Sequence, residues 1–215
     1  HNSSASSLRY MDEMVWPALR PLHMNSVILP ITWESIEPEE NSFDFSLPDG
    51  LIAAARREGL RLILLWFGLW KNGMSTYVPG WVKSASSGNG ARFFRVRDGF
   101  GKQLDCISPF CAEAVGADAK AFRALMQHIS EIDADRTVIA VQVENEIGVL
   151  GAGRDYSDAA SAAYLQPIPD SVARWYEVSG SWEEAFGADG AEMLMAWQYA
   201  QAVEQIASQG KSVYL

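Results

Sequence analysis

The 215-residue sequence predicts an α/β domain built around a parallel sheet. The first observation is that short apolar segments alternate with helix-length segments whose apolar residues recur every three or four positions. Crossovers of that length imply parallel strands with right-handed connections. The second observation is residues 138–148, V-I-A-V-Q-V-E-N-E-I-G, where an apolar run changes at once to acids and an amide. The apolar part is typical of a strand buried on both faces, and we expect it to carry the active site at its carboxyl end.

Helices are predicted over residues 8–22, 46–59, 118–132, 170–186 and 191–208. Pro17 and Pro21 interrupt the first of these, and Gly59 is a plausible C-terminal stop for the second. Asp118 is interpreted as the N-cap of the third, and Gly210 as the end of the last. The segment over 170–186, with apolar residues at Val172, Trp175, Tyr176, Trp182 and Phe186, is expected to form a broken helix.

Strands are predicted over residues 25–31, 61–67, 138–143 and 212–215. Two long segments separate these elements. Residues 68–116 are rich in aromatic and basic side chains, and loops of this length in a compact domain are usually functional. Residues 149–169 are rich in Gly, Ala and Ser and are expected to form a mobile loop over the site. Four strands with helical crossovers are therefore expected.

The bulk composition excludes several classes of function. A net charge of −10 without a visible cluster of Lys and Arg argues against a nucleic-acid partner. The longest apolar run, residues 60–69, is too short to cross a bilayer, so no membrane partner is expected. Cys106 and Cys111 lack the second pair that a zinc site requires, which leaves a loop disulfide or two free thiols open. His128 has no second ligand at suitable spacing, so we expect it to face solvent or to cap a helix. No metal and no cofactor are expected.

Residues 142–148, Q-V-E-N-E-I-G, resemble the Q-x-E-N-E-[YF]-G signature of family 35 glycoside hydrolases. These β-galactosidases belong to the clan of retaining glycosidases that are built on (β/α)8 barrels. In that clan the Asn-Glu pair ends the fourth strand. The resemblance implies that Glu146 is the general acid/base and that Asn145 contacts the sugar 2-hydroxyl. Glu144 is expected to orient Glu146, and Gln142 to support the same turn from behind.

Two further segments extend the resemblance. Residues 33–45 resemble the family segment W-x-x-H-E-P-x-x-G-x-F-D-F, and residues 77–82 resemble G-x-P-x-W-L. The role of Glu37 is left open between packing and function. Pro30 stands where better-known members carry a sugar-contacting Tyr, and residues 70–72 replace their Cys-Ala-Glu, so the sugar subsite is remodelled. The candidate substrate-binding residues, besides Asn145, are Trp33, Glu34, Trp70, Asn72 and Tyr77.

A complete (β/α)8 barrel needs about 250 residues and eight strands. Set against the family, this chain is expected to cover roughly the first half of the TIM barrel, strands 2 to 5, as one catalytic domain (residues 1–215) truncated at both ends. The family's nucleophile lies on strand seven and is therefore expected outside this chain. Glu144 cannot replace it, because it would approach the sugar from the same side as Glu146. The remainder of the barrel is the expected partner.

The leading hypothesis is a glycoside hydrolase that removes terminal β-linked galactose from oligo- or polysaccharides by retaining double displacement. Its expected partner is a carbohydrate substrate, and its expected location is periplasmic or secreted, as is usual for polysaccharide-active enzymes. One alternative is a retaining β-glycosidase with another sugar specificity. A second is a carbohydrate-binding fragment without catalysis. A third, a metal site at Glu144 and Glu146, would need further ligands at compatible spacing.

Overall fold

A computed structural model of the chain describes residues 4–72, 76–88 and 90–214. Its strands are β1 (Ser26–Thr32), β2 (Arg61–Phe67), β3 (Arg95–Arg97), β4 (Gln103–Ile107) and β5 (Val138–Val143). Its α-helices are α1 (Leu8–Tyr10), α2 (Trp16–Leu19), α3 (Trp33–Ile36), α4 (Ser46–Arg57), α5 (Gly80–Ala85), α6 (Ala112–Ile132), α7 (Asp158–Tyr164), α8 (Asp170–Tyr176), α9 (Trp182–Phe186) and α10 (Gly190–Lys211). Short 3-10 or π segments are Ser4–Ser6, Met11–Val15, Arg20–Leu22 and Gly187–Asp189.

The central sheet has three parallel strands in the order β1-β2-β5. β1 and β2 pair without a slip, from Ser26 opposite Arg61 to Thr32 opposite Phe67. β2 and β5 pair with one register shift between Leu62 and Ile63. Long crossovers that contain helices join these strands, as parallel pairing requires. The predicted α/β class with a parallel sheet is confirmed.

One face of this sheet forms the core with the helices. Leu62, Leu64 and Trp66 on β2 are buried there in one continuous apolar cluster. Helices α6 and α10 pack closely against each other. Gly210 permits that approach, because a Cβ atom at this position would lie 2.4 Å from Cε1 of Phe122. The core therefore lies on the outer, helix-covered side of the sheet.

The opposite face of the sheet remains open. Ile28 on β1 is 60% exposed, and Ala140 on β5, which lies level with it across β2, is exposed as well. The expectation that the strand over 138–143 is buried on both faces is thus wrong for this chain. Among the described residues, β5 pairs on one side only, with β2, and is an edge strand. An uncovered face and edge of this kind are what an incomplete barrel presents.

The strand predicted over residues 212–215 is not found within the described part of that segment. Ser212 and Val213 form a turn that follows α10. The N–H of Ser212 donates to the carbonyl of Ser208, and the N–H of Tyr214 donates to that of Gly210. Backbone donors that satisfy the last carbonyls of a helix are not available to a strand. Leu215 lies outside the described residues.

The helix predictions were more accurate than the loop predictions. Residues 46–59 and 191–208 match α4 and α10, and residues 170–186 divide into α8 and α9 as expected. Residues 8–22 are helical throughout most of their length but irregular, with a π segment before Pro17. The helix predicted over residues 118–132 starts six residues too late, because α6 begins at Ala112.

The two predicted loops contain structure of their own. Residues 68–116 hold α5 and an antiparallel ribbon of β3 and β4, and the mobile loop predicted over 149–169 contains α7. Asp155, which is buried, fixes that loop to the ribbon by accepting from the N–H of Arg97 at 3.0 Å and from the hydroxyl of Ser108, directly after β4, at 2.5 Å. Within the described ranges, no helix combines the length and apolar content needed to cross a membrane.

Candidate active site

The site is built where the parallel strands end. β5 is followed by Glu144, Asn145 and Glu146, and β2 is followed by residues 68–71. β1 is followed by Trp33 and Glu34 at the start of α3. The carboxyl ends of parallel strands meet at one edge of the sheet, which is the edge that carries the chemistry in (β/α)8 enzymes. The polar residues predicted from the sequence are therefore gathered at one edge.

The turn after β5 has an unusual backbone. Glu144 has φ 62° and Glu146 has φ 44°, which is the left-handed region that residues other than glycine rarely adopt. Such conformations cost about 1–2 kcal/mol each and persist only where the surroundings hold them. Here the N–H of Glu144 donates to the carbonyl of Trp66 at 3.0 Å. The Gln142 amide donates to Oδ1 of Asn145 and to the carbonyl of Glu144, both at 2.9 Å.

Glu146 is presented to the open side of this edge. Its side chain is 65% exposed, and Oε2 lies 3.8 Å from Nζ of Lys71, whose side chain is only 15% exposed. Asn145 is held below it, since Nδ2 donates to the carbonyl of Lys71 at 3.0 Å. The turn therefore leaves one carboxyl group accessible to a ligand, with an ammonium group beside it. From the sequence, Lys71 was predicted only to belong to the remodelled subsite at residues 70–72.

Two buried carboxyl groups lie beneath the turn. Glu144 is 2% exposed and Asp118, from the middle of α6, is 0% exposed. The N–H of Leu69 donates to Oδ2 of Asp118 at 2.7 Å and to Oε1 of Glu144 at 3.0 Å. Oε2 of Glu144 accepts from the N–H of Trp70 at 2.7 Å, and Oδ1 of Asp118 accepts from Nε1 of Trp66 at 2.7 Å. Burial raises the pKa of both carboxyl groups, and the neighbouring charge of Asp118 raises the pKa of Glu144 further.

The prediction that Asp118 is the N-cap of its helix is wrong. Asp118 is buried inside α6, and its carboxyl group reaches the end of β2. A signal was present, because Asp118 falls on the apolar face of the helix, with Val115 and Phe122 within one turn on either side. A carboxyl group on an apolar face must find partners or a proton.

Gly68 makes this arrangement possible. A Cβ atom at this position would lie 2.2 Å from Oδ2 of Asp118 and 2.4 Å from Oε1 of Glu144. Both distances are far shorter than a van der Waals contact, so the two carboxyl groups occupy the space that any side chain here would need. The carboxyl pair and the glycine at the end of β2 therefore form one packing unit.

Two of the predicted substrate-binding residues are in the core. Trp33 and Trp70 are both buried. The indole N–H of Trp33 donates to Oε2 of Glu37 at 2.8 Å, and that of Trp70 donates to the carbonyl of Ile107 at 3.0 Å. Neither ring has a face open to a sugar, so the expected binding role is not supported for either residue. Glu37, whose role was left open, is buried and has a structural one, since it also accepts from the N–H of Asn41 at 2.8 Å.

The other three candidates are partly accessible. The Glu34 side chain is exposed enough to meet solvent, and its Oε2 lies 3.3 Å from Nζ of Lys83. Tyr77 is half-buried and stacks on Phe67 with ring centroids 5.7 Å apart. Its carbonyl accepts from the N–H of Glu34 at 2.9 Å, which ties the ends of β1 and β2 together. Asn72 is half-buried and directly follows Lys71. These residues stay candidates for sugar contacts.

The cysteines and His128 have structural positions. Cys106 and Cys111 are free thiols, so of the two alternatives the disulfide is not formed. Burial and the nearby Asp155 raise the pKa of the Cys106 thiol to about 11, which keeps it a poor nucleophile at neutral pH. Nε2 of His128 lies 2.6 Å from Oδ1 of Asp49, and its ring stacks on an aromatic neighbour rather than facing solvent. Among the residues that the structure describes, no three His, Cys, Asp or Glu side chains are grouped closely enough to hold a metal ion.

Tyr199 on α10 offers a test of how tightly this region is packed. Its ring meets the edge of Trp70, the residue is buried, and its hydroxyl has no hydrogen-bond partner among the described residues. A buried hydroxyl without a partner destabilises the fold. We therefore expect Tyr199→Phe to raise the free energy of unfolding by about 1 kcal/mol in urea titrations. Tyr176→Phe, at an exposed position, serves as the control and should change nothing. Destabilisation by Tyr199→Phe would show that the hydroxyl is bonded.

Comparison with known structures confirms the fold. The chain is similar to a β-galactosidase from Bacillus circulans sp. alkalophilus, with a TM-score of 0.66 and 13% identity over 100% of this chain and 34% of that one. It is also similar to a catalytic mutant of Gan42B, a GH42 β-galactosidase from G. stearothermophilus (TM-score 0.68, 15% identity, 99% and 33% covered). A third is a polyextremophilic β-galactosidase from the Antarctic haloarchaeon Halorubrum lacusprofundi, with a TM-score of 0.66 and 14% identity over 93% of this chain and 32% of that one. The chain thus spans about a third of each of these proteins.

The parallel sheet, the carboxyl-bearing edge and these similarities define part of a (β/α)8 barrel, as the sequence predicted. The model of glycoside hydrolase family 42, described as beta-galactosidase, matches residues 13–189, well over half of the chain. The chain belongs to glycoside hydrolase family 42. No curated protein matches the sequence.

The predicted assignment to family 35 is therefore wrong, although the prediction of a β-galactosidase family was correct. The reason lies in the motif on which the assignment rested. Residues 142–148 are carried by a chain that the family 42 model matches, so this motif does not distinguish the two families. It marks the end of a single strand, β5. The departures at Pro30 and at residues 70–72 were differences from the wrong family.

Proposed function

We propose that this chain is the part of a retaining β-galactosidase that carries the general acid/base, Glu146. The observation that carries the proposal is the position of this residue. Its carboxyl group is exposed on the turn at the carboxyl end of β5, while the neighbouring carboxyl groups of Glu144 and Asp118 are buried. Membership of a β-galactosidase family supports the substrate class. The substrate we propose is a terminal β-linked galactoside of an oligo- or polysaccharide.

In the proposed reaction, Glu146 protonates the glycosidic oxygen while a carboxylate on the opposite face of the sugar attacks the anomeric carbon. The resulting glycosyl ester is then hydrolysed by a water molecule that Glu146 deprotonates. Asn145 is suited to hold the sugar, because Nδ2 has a second hydrogen beyond the one donated to Lys71. A contact from that hydrogen to the 2-hydroxyl would strengthen as charge develops in the transition state.

The nucleophile is proposed to lie outside this chain. A retaining enzyme holds its two carboxyl groups about 5–5.5 Å apart on opposite faces of the sugar. Glu144 is unsuitable for this role, because it is buried and both of its oxygens accept backbone N–H groups. We propose that the remainder of the barrel supplies the nucleophile and covers the exposed Ile28 and Ile139.

An acidic chain of this kind is not expected to bind nucleic acid, whose phosphates carry the same sign of charge. We propose a periplasmic or secreted location.

Two alternatives follow from particular residues. A β-glycosidase of different sugar specificity would keep Glu146 and differ at Glu34, Asn72 and Tyr77, the accessible candidates for sugar contacts. A carbohydrate-binding protein without catalysis would keep the same edge and lack the second carboxylate. Both alternatives predict sugar binding, and only the first predicts turnover.

The test is an assay of the complete protein that contains this chain on a panel of aryl β-glycosides, with the first product followed by NMR. We expect the galactoside to be the preferred substrate and β-galactose to be released first. Preference for another sugar would support the specificity alternative, and release of the α-anomer first would exclude retention. Binding without turnover would support the non-catalytic alternative. The 215-residue chain alone is expected to show binding at most.

A further inference from the structure

We propose that Asp118 and Glu144 form a buried carboxyl pair that shares one proton and positions the turn bearing Asn145 and Glu146. The positioning half of this inference rests on the proposed function of Glu146. The shared proton does not, because it concerns only groups inside the fold. The mechanism proposed above uses neither Asp118 nor a proton held at Glu144.

The geometry brings the two carboxyl groups together at a single donor. The N–H of Leu69 donates to an oxygen of each, at 2.7 Å and 3.0 Å, so these two oxygens converge on one hydrogen atom. Two carboxylates in such a position cannot both ionise in a buried site. Lys71, the basic residue that follows β2, pairs with the exposed carboxyl group of Glu146 and not with the buried pair. One proton between the oxygens replaces the repulsion with a charge-assisted hydrogen bond.

The surroundings indicate which residue holds the proton. Asp118 accepts from the N–H of Leu69 and from the Trp66 indole, and Glu144 accepts from the N–H groups of Leu69 and Trp70. The number of donors therefore favours neither carboxyl group, and the unequal effect of burial and charge decides. Burial and the charge of Asp118 together raise the pKa of Glu144 well above its usual range. Glu144 therefore holds the proton and donates a hydrogen bond with it to the Asp118 carboxylate. The other titratable groups facing the pair are Glu37, at the end of α3, and Tyr199, on α10.

The pair connects directly to the catalytic turn. Oε2 of Glu144 accepts from the N–H of Trp70 at 2.7 Å, which fixes the backbone after β2. The carbonyl of Trp70 accepts from the N–H of Asn145 at 3.4 Å, and the carbonyl of Lys71 accepts from its side chain at 3.0 Å. The same backbone places the Lys71 ammonium 3.8 Å from Glu146. Without the carboxyl pair, neither the backbone that carries Lys71 nor the turn that carries Glu146 would be held in place.

The shared proton is tested by measuring the free energy of unfolding in urea as a function of pH. The 215-residue wild-type chain is compared with Glu144→Gln. Above about pH 4.3, where free glutamic acid loses its proton, the folded chain would hold one proton that the unfolded chain releases. The contribution of this proton to stability is fully present below about pH 4.3 and is lost as the pH rises through the folded pKa of the pair. We expect the wild-type folding constant to fall by up to about tenfold more per pH unit than that of Glu144→Gln, whose amide is always neutral. Glu204→Gln, the same change at an exposed position of α10, should keep the wild-type slope.

Equal slopes for the wild type and Glu144→Gln would overturn the shared proton. Asp118→Asn is the second variant, since an amide at either position can make the hydrogen bond between the two groups. If both amide variants failed to fold while Glu204→Gln folded, a neutral group could not replace the protonated one, and the proposal would also be overturned.

Positioning is tested separately in the complete enzyme. Glu144→Ala is expected to lower kcat about 10²-fold with little change in KM, because a displaced acid/base slows chemistry rather than binding. Glu144→Gln, which keeps the hydrogen bonds to Trp70 and Asp118, should restore most of this loss. An unchanged kcat in Glu144→Ala would overturn the positioning role. Failure of Glu146 as the acid/base would appear as activity retained in Glu146→Gln, and it would leave the pH slopes of unfolding unaffected.

Discussion

Replacing Glu146 with Gln in the complete enzyme is expected to lower kcat on galactosides with poor leaving groups by about 10²–10⁴-fold. The amide keeps the size of the side chain but has no proton to give to the departing oxygen. Substrates with activated phenol leaving groups need little protonation, so their glycosylation step should remain fast. For these substrates hydrolysis of the glycosyl ester becomes rate-limiting, because the variant has no carboxylate at position 146 to deprotonate water.

This second step gives a specific signature. Azide needs no general base, so it should react with the glycosyl ester, raise kcat on activated substrates and yield the β-galactosyl azide. The exposed position of Glu146 at the edge of the sheet leaves room for a small anion to approach. Glu204→Gln is the matched control and should retain wild-type kinetics. Activity of Glu146→Gln within tenfold of wild type on poor leaving groups, or no response to azide, would contradict the assignment.

Replacing Gly68 with Ala is expected to give the largest loss of stability, about 3 kcal/mol. The added methyl group would lie 2.2 Å from Oδ2 of Asp118 and 2.4 Å from Oε1 of Glu144. Neither carboxyl group can move without breaking its hydrogen bond to Leu69. The variant must therefore distort the strand end or leave a buried carboxyl group without a partner. Urea unfolding measures this loss, and kcat in the complete enzyme should fall with it.

Gly116→Ala is the matched control for this prediction. Gly116 lies inside α6, and a Cβ atom there would have no neighbour within 4 Å. Alanine in a helix interior is favoured over glycine, so the free energy of unfolding should rise by about 0.5–1 kcal/mol. The same substitution thus has opposite expected effects at the two positions. A loss below 1 kcal/mol in Gly68→Ala would show that the carboxyl pair can move, and would weaken its proposed role.

The sequence alone was sufficient for the elements whose signal is local. Residues 61–67 were predicted as a strand and form β2 with the same bounds, since an apolar run between a glycine stop and a polar turn determines its own structure. The long helix over 191–208 was found from its apolar spacing in the same way. The motif at residues 142–148 identified a β-galactosidase barrel and placed Glu146 at a strand end. It did not identify the family, because it describes one strand end and not the rest of the chain.

Only the tertiary structure decided what each of these residues touches. Trp33 and Trp70 follow strand ends, where a sugar-binding role was expected, yet both are buried and donate to Glu37 and to the carbonyl of Ile107. The segment over 212–215 has the composition of a strand, but the end of α10 takes its backbone donors. Asp118 and Glu144 are 26 positions apart in the chain and meet only because α6 packs beside the end of β2. Local periodicity determines elements, whereas the burial of a carboxyl group, and the raised pKa that burial causes, depend on which elements come together.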